Sequence, residues 1–122
     1  MIILVRHGRT HLNASRCLQG RIDADLDELG KQQADAVGRY LANAIEPARI
    51  ISSPLHRAQQ TAAAIASHFG RTDVETDERW IEIDYGIYDG FPLGEYRGCP
   101  VSATLVKSAE TRRAMRQTKM LP

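Results

Sequence analysis

The spacing of apolar and polar residues predicts strands that alternate with helices. Apolar, largely β-branched residues occupy positions 1–5, and such a run is typical of a buried strand, here ending at Arg6. From about Glu28 to Ala44 the apolar residues recur with a helical period, and one predicted face carries Ala34, Val37, Tyr40, Leu41 and Ile45. We therefore expect a strand over 1–6, a long loop over 8–27 and then a helix.

The next segment repeats this strand–helix order. Residues 49–52 predict a short strand, and the Ala-rich stretch from Pro54 to His68 predicts a second helix. Ser53 suits the N-cap, with Pro54 at the first helical position, and Gly70 suits the C-terminal end. A further short strand is predicted over 73–76. This alternation indicates an α/β fold, with a parallel-type, three-layer sheet flanked by helices.

Ionisable side chains follow the first predicted strand directly. Arg6 and His7 come at its end, and Thr10 and Asn13 add two donors within a turn of His7. Ligands of open α/β sheets bind at the carboxyl ends of strands. Arginine offers a planar fork of donors to anionic oxygens, and neutral imidazole is a competent nucleophile. A strand end in solvent explains Arg6 and His7 alone as well as a phosphoryl site does.

A second segment favours the phosphoryl site. Arg57 lies in the first turn of the helix predicted from Pro54. Free N–H groups at a helix N-terminus attract anions, so a guanidinium at this position would add to an existing preference for phosphate. Two arginines from separate segments could therefore converge on one anion.

Motifs along the first three quarters of the chain carry a family resemblance. The strings are Arg6-His7-Gly8-x-Thr10-x-x-Asn13, Leu18-Gln19-Gly20, Asp25-Leu26-x-x-x-Gly30-x-x-Gln33-Ala34, Ser52-Ser53-Pro54-Leu55-x-Arg57-Ala58-x-Gln60-Thr61-Ala62 and Glu82-Ile83-Asp84-Tyr85-Gly86-Ile87-Tyr88-Asp89-Gly90. In order and spacing they resemble the histidine phosphatase superfamily, which includes the cofactor-dependent phosphoglycerate mutases. The resemblance covers residues 1 to about 94 and implies a phosphoglycerate mutase-like fold.

The resemblance implies a phosphomonoester hydrolase that acts through a phosphohistidine. His7 would be the nucleophile, and Arg6 and Arg57 would clamp the phosphoryl group. Glu82 would protonate the leaving group, with Asp84 as its nearest competitor, and partial burial near aromatic residues could raise the pKa of such an acid. Two guanidinium groups stabilise a transferring phosphoryl group without a metal, so neither a metal nor another cofactor is expected.

The resemblance also implies how the substrate is held. Asn13, Gln19 and Gly20 would bind the phosphate or the substrate. The partner would be a phosphorylated small molecule, and the formal net charge of +1 gives no general attraction to nucleic acid or membrane. No signal or membrane segment is evident, so a cytoplasmic location is expected.

One member of the implied site is absent from the sequence. The family carries a second catalytic histidine after a later strand, whereas the four histidines here are His7, His11, His56 and His68. We expect His56 and His68 to lie on solvated surface, and activity to be impaired. The alternatives are a truncated, inactive phosphate-binding fragment and a mutase-like phosphotransferase, although Asp84-Tyr85-Gly86 after Glu82 is closer to the phosphatases.

The end of the chain differs from the rest. Residues 1–97 carry 11 Lys and Arg against 14 Asp and Glu, a net charge of −3, whereas residues 98–122 carry 5 against 1, a net charge of +4. Residues 1–94 are therefore predicted to be a partial α/β domain and 95–122 a divergent basic tail. A truncated or frameshifted reading frame and a genuine divergent C-terminus both explain the shift, and a basic-tail interaction module is a third functional alternative.

An incomplete sheet would expose the first predicted strand. Its unpaired edge would favour self-association, for example as a homodimer. Residues 101–106 could instead supply a substitute strand. The two cysteines, Cys17 and Cys99, are far apart in sequence and are expected to be reduced thiols.

Overall fold

A computed structural model of the protein describes residues 1–93. Its elements in chain order are α1 (His11–Ala14), α2 (Glu28–Ala42), β1 (Ile51–Ser52), α3 (His56–His68), β2 (Glu75–Thr76) and two 3₁₀ turns, Glu78–Trp80 and Gly86–Tyr88. Three sequence predictions concern residues outside this range, namely the basic tail over 95–122, the substitute strand at 101–106 and the reduced thiol of Cys99. None of the described helices is long and apolar enough to cross a membrane.

The two described strands form a parallel pair. Ile51 lies opposite Glu75 and Ser52 opposite Thr76, and α3 connects the strands and packs against β1. A helix that joins two parallel strands is the basic unit of an α/β sheet, so both predicted strands are confirmed in shorter form. The ion pair of Arg49 with Glu75, 2.6 Å from Nη2 to Oε2, adds a polar contact beside β1.

The strand predicted over residues 1–6 is wrong for the described part of the chain. Residues 1–5 join no ladder there, and their side chains are exposed, with Ile2 at 87% and Leu4 at 79% of full exposure. A strand is defined by its hydrogen bonds to a neighbour, and an apolar sequence cannot supply that neighbour. Thr10 and Leu26 form an isolated antiparallel bridge instead.

Helices α2 and α3 pack closely because small residues line their contact. Gly30, Ala34 and Gly38 are the buried residues of α2. A Cβ atom on Gly38 would lie 3.0 Å from the Cα of Ile65. Tyr40, predicted on the buried face, is 73% exposed, because the contact is too narrow to reach its side of the helix.

The ends of α3 differ in how well the sequence predicts them. The helix begins at His56 rather than at Pro54, because the Oγ atom of Ser53 accepts from the N–H of Leu55 (3.4 Å) in a turn before the helix. Asp23 reaches from the preceding loop, and its Oδ1 atom accepts from the N–H of His56 (2.6 Å). At the other end Gly70 takes the predicted capping position with φ of +65°.

Candidate active site

His7 is held where the N-terminal segment meets the two long helices. The N–H of Gly8 donates to Oγ1 of Thr61 (3.0 Å), and this hydroxyl donates to the carbonyl of Arg57 within α3 (2.7 Å). A Cβ atom on Gly8 would lie 2.3 Å from the carbonyl oxygen of Gly30 in α2, so the backbone passes where no side chain fits. These contacts fix the backbone that carries the imidazole of His7.

The ring of His7 is held in one tautomer. Its Nδ1 atom lies 2.7 Å from the carbonyl oxygen of Gly8, and because a carbonyl only accepts, Nδ1 carries the hydrogen. Burial lowers the pKa of His7, the positive charges of Arg57 and Arg6 lower it further, and the Gly8 bond and the charge of Glu82 oppose them. The neutral ring therefore exposes a lone pair on Nε2 at neutral pH.

The Arg57 guanidinium is buried and oriented by backbone carbonyls. Its residue is 3% exposed, and Nη1 and Nη2 donate to the carbonyls of Ile22 and Gly20, each at 2.9 Å. Burial lowers the pKa of Arg57, while the charges of Glu82, Asp23 and Asp89 oppose the shift. Because a guanidinium has five N–H groups, two bonds to the loop leave donors for an anion.

The loop after His7 contains a short helix that orients two amide side chains. Oδ1 of Asn13 accepts from the N–H of Thr10 (3.0 Å), and Oγ1 of Thr10 accepts from the N–H of Asn13 (3.3 Å), which forms a capping box at α1. The buried Thr10 hydroxyl also donates to Oε1 of Gln19 (2.6 Å). Both amide oxygens therefore face Thr10, and the NH₂ groups of Asn13 and Gln19 point away from it.

Glu82 lies in an exposed segment and is tied to the loop by Arg21. Its Oε1 atom accepts from the N–H of Ile83 (2.8 Å), and its carbonyl accepts from Nε of Arg21 (3.2 Å). The burial expected near Trp80 is not found, because both residues are exposed. Asp84, the competing acid, accepts from the N–H of Gly86 at 2.8 Å.

The predicted residues divide into those that the structure brings together and those that it places elsewhere. The charges of Arg6, Arg57 and Glu82 all act on His7, so these four residues share one neighbourhood. His56 and His68 instead lie beside carboxylates. Exposed His56 lies 3.4 Å from Asp25 at its Nδ1 atom.

The solvated position predicted for His68 is wrong. Its Nε2 atom lies 2.7 Å from Oδ1 of Asp35, so it joins α3 to α2, because Gly38 lets the helices approach.

Three residues that contact the predicted site residues or their loop were not singled out by sequence reasoning. Thr61 and Asp89 lie within the matched strings, yet a string does not reveal which members contact His7 or the loop. Arg21 follows the Leu18-Gln19-Gly20 string directly, and its proximity to Glu82 across 61 positions of sequence gave no local signal.

Comparisons with known proteins agree on one family. The family profile described as histidine phosphatase superfamily (branch 1) matches residues 2–111, which extends past the motifs that end near residue 94. The fructose-2,6-bisphosphatase TIGAR of Xenopus tropicalis is 42% identical over 100 residues, which cover 79% of this chain and 36% of that protein. The phosphoglycerate mutase-like protein 4 of Arabidopsis thaliana is 39% identical over 94 residues, 77% of this chain and 41% of that protein.

Solved structures show the same similarity. A mycobacterial glucosyl-3-phosphoglycerate phosphatase, solved in complex with VO₃, superposes with a TM-score of 0.70 at 33% identity and covers 80% of this chain and 47% of its own. The chain spans less than half the length of each of these relatives.

Proposed function

Because the chain belongs to branch 1 of the histidine phosphatase superfamily and has its phosphoglycerate mutase-like α/β fold, we propose that it is a phosphomonoester hydrolase in which Nε2 of His7 accepts the phosphoryl group. The observation that carries the proposal is the bond between Nδ1 of His7 and the Gly8 carbonyl. It leaves the lone pair on Nε2, and the lowered pKa keeps that lone pair unprotonated. A nucleophile thus stands beside two arginines that suit an anion.

The reaction divides into two displacements at phosphorus. In the first, Nε2 of His7 forms a bond to phosphorus while the ester P–O bond breaks, and Glu82 gives a proton to the leaving oxygen. In the second, water attacks phosphorus, the P–N bond breaks, and Glu82 takes a proton from the water, which releases inorganic phosphate. The proton that Glu82 gives in the first displacement is regained in the second, so the cycle restores the protonation state of its side chain.

Positive charge would stabilise both displacements. Arg6 and Arg57 would bind the equatorial oxygens, and the amide NH₂ groups of Asn13 and Gln19 would add neutral donors near Gly20. No metal or other cofactor enters this scheme. The substrate would be a phosphorylated small molecule, a proposal that the phosphatase names of the relatives support.

A non-catalytic phosphate-binding protein is the second candidate. The sequence provides no histidine after His68. The imidazole of His56 lies beside the Asp25 carboxylate on the exposed surface, and that of His68 is bonded to Asp35. Loss of one preorganised donor to the phosphoryl group commonly lowers turnover by about 10²–10³-fold. We therefore expect slow turnover, and phosphorylation of His7 is the step that separates the candidates.

The test is to trap the phosphorylated enzyme. The protein is incubated with phosphoramidate, and acid-labile phosphohistidine is located by mass spectrometry under alkaline conditions. We expect the modification at His7, its loss in His7→Ala and its retention in His11→Ala, which removes an exposed histidine four positions away. Phosphate binding without any modification of His7 would favour the non-catalytic candidate, and modification that persists in His7→Ala would overturn the proposal.

A further inference from the structure

Asp89 carries a buried carboxylate oxygen that has no hydrogen-bond partner among residues 1–93. The oxygen is Oδ1, whereas Oδ2 of the same carboxylate accepts from the N–H of Arg21 at 3.4 Å. A buried polar atom without a partner is costly, and most proteins satisfy such atoms. The scheme proposed above gives Asp89 no role, so the burial of its unpartnered oxygen calls for a physical reason.

The unpartnered oxygen lies directly beside the Cα atom of Gly20, where a side chain would begin. Gly20 has φ of +49°, and a Cβ atom built there would lie 2.0 Å from Oδ1 and 2.8 Å from Cγ of Asp89. The carboxylate therefore occupies the space that a side chain at position 20 would need. The positive φ of Gly20 is, in addition, a backbone conformation that residues with a side chain rarely adopt. The contact between Asp89 and Gly20 therefore limits how far either segment can move towards the other.

Backbone bonds hold the two segments in this register. The N–H of Gly90 donates to the carbonyl of Leu18 (2.8 Å), and the N–H of Leu18 donates to the carbonyl of Phe91 (2.8 Å). The buried side chain of Leu18 packs against Tyr85 and Tyr88. The carboxylate of Asp89 is thus presented to the loop by a well-supported backbone.

The loop that Asp89 contacts is the same loop that orients Arg57. The carbonyl of Gly20 accepts from Nη2 of Arg57, and the carbonyl of Ile22 accepts from Nη1. Gly20 therefore contacts two charged groups: the Asp89 carboxylate lies beside its Cα atom, and the Arg57 guanidinium is bonded to its carbonyl. A shift of this loop would reorient the carbonyls of Gly20 and Ile22, which hold the Arg57 guanidinium in its direction.

We propose that Asp89 is a positioning residue that sets the direction of the Arg57 guanidinium through the Gly20–Ile22 loop. The proposal rests on the proposed function only in that Arg57 binds the phosphate. It differs from a purely electrostatic role, in which the negative charge of Asp89 near Arg57 would weaken anion binding. The two roles predict opposite effects of neutral substitutions.

Phosphate binding, measured by calorimetry with the full chain, separates the two roles. Asp89→Asn keeps an oxygen for the Arg21 N–H and keeps the bulk beside Gly20, so we expect affinity within about threefold of the unaltered protein. Asp89→Ala removes both, and we expect roughly tenfold weaker binding. Glu78→Ala, which removes an exposed acid, is the matched control and should bind as the unaltered protein does.

A second readout follows the guanidinium itself. Two-dimensional NMR of the arginine side chains should show separate, slowly exchanging Nη signals for Arg57, identified by their loss in Arg57→Lys, because both Nη atoms are bonded. We expect these signals to average in Asp89→Ala and to stay separate in Asp89→Asn. Three results would each overturn the proposal: unchanged phosphate affinity in Asp89→Ala, tighter phosphate binding in both Asp89 variants, or unaltered Arg57 signals in Asp89→Ala.

Gly20→Ala keeps the test decisive if Asp89→Ala does not fold. The new methyl group pushes the same loop away from an intact Asp89, so it should weaken phosphate binding and average the Arg57 signals in the same way. Wild-type affinity in Gly20→Ala would contradict the positioning role. The outcome is distinct from that of the phosphohistidine test, because neither binding nor the Arg57 signals require His7 to react.

Discussion

The chemistry proposed for His7 depends on a short backbone contact and on the charges around the ring. The Gly8 carbonyl selects the tautomer, while burial and the two arginines select the neutral state. Either effect alone would be insufficient, because a neutral ring with its hydrogen on Nε2 has no lone pair on that atom, and a protonated ring has no lone pair on either nitrogen. The proposed nucleophile thus depends on geometry and electrostatics together.

The titration of His7 is the first prediction. Its pKa should lie below the ordinary 6.5, and Arg57→Gln should raise it, because a nearby positive charge that opposes protonation is removed. The signal of the ring Cε1–H, followed by NMR against pH, gives the midpoint. Arg9→Gln, which removes a guanidinium paired with Asp27, should leave the midpoint unchanged. A midpoint above 6.5 in the unaltered protein would contradict the burial and charges described for the ring.

Phosphate affinity of arginine variants is the second prediction. Arg57→Ala should weaken binding by roughly ten- to a hundredfold, because charge-assisted bonds to the anion are lost. Arg57→Lys should weaken it less, since the charge is kept, yet lysine cannot reproduce the bidentate fork. Calorimetry gives both values, with Arg49→Ala as the control for an exposed arginine. Equal affinity of the unaltered protein and the Arg6→Ala/Arg57→Ala double variant would remove the basis for the site.

The sequence predicts which residues form this site better than it predicts the hydrogen bonds that orient them. Arg6 and His7 follow an apolar run of sequence and Arg57 lies in the first turn of α3, so periodicity and motif strings can find them. Which nitrogen of His7 is free cannot be predicted, because it depends on the distance to a carbonyl. The support of Arg57 by Gly20 depends equally on a loop conformation that the sequence does not encode locally.

At the scale of elements, the two long helices were predictable because their period is long and their ends carry strong signals, whereas the four-residue α1 lies in the predicted loop over 8–27. Helix α2 begins at Glu28 as expected, after Asp27, whose Oδ1 atom accepts from the N–H of Gly30 (2.8 Å). The strands were less predictable, since their extent depends on which neighbours they pair with. The two-residue ladders at 51–52 and 75–76 are shorter than the strands predicted over 49–52 and 73–76.

The α2–α3 contact gives the third prediction. Gly38→Leu should lower the free energy of unfolding by about 1–3 kcal/mol or more, because the added side chain has no space beside Ile65 and His68. Ala36→Leu introduces the same side chain on the exposed side of α2 and should change stability by less than about 0.5 kcal/mol. Urea unfolding measures both. Equal stability of the two variants would show that the helices pack less closely than described.

The cap of α2 gives the fourth prediction. The Gly30 N–H bond and the Arg9 guanidinium hold the pKa of Asp27 below its usual 3.8, so its carboxylate stabilises the folded state above that pH. This contribution falls as the pH drops through the lowered pKa. Asp27→Asn keeps a capping oxygen but loses the titration. Its melting temperature should therefore lie below that of the unaltered protein near pH 6 and approach it on acidification, and a constant difference across that range would contradict the assignment.

At the scale of the whole molecule, the N-terminal segment stands apart from the rest of the described chain. Residues 8–27 are bonded to both long helices, whereas the five consecutive apolar residues 1–5 are all exposed. A contiguous exposed surface of this kind favours association with another apolar surface. Among the residues that the structure describes, 1–5 join no strand ladder, which adds the capacity to pair as a strand.

Self-association through residues 1–5 is therefore the last prediction. Light scattering after size-exclusion chromatography should show a mass that rises with protein concentration. The double variant Ile2→Lys/Leu4→Lys should shift the protein towards monomer, because association through residues 1–5 would then bury two charges. Tyr40→Lys replaces an exposed aromatic residue on α2 and is the control, since an isolated apolar residue does not form a patch. The competing arrangement is a monomer in which residues 101–106 cover the segment. A concentration-independent monomer with slow amide exchange at residues 2–5 would establish that arrangement and exclude association through this surface.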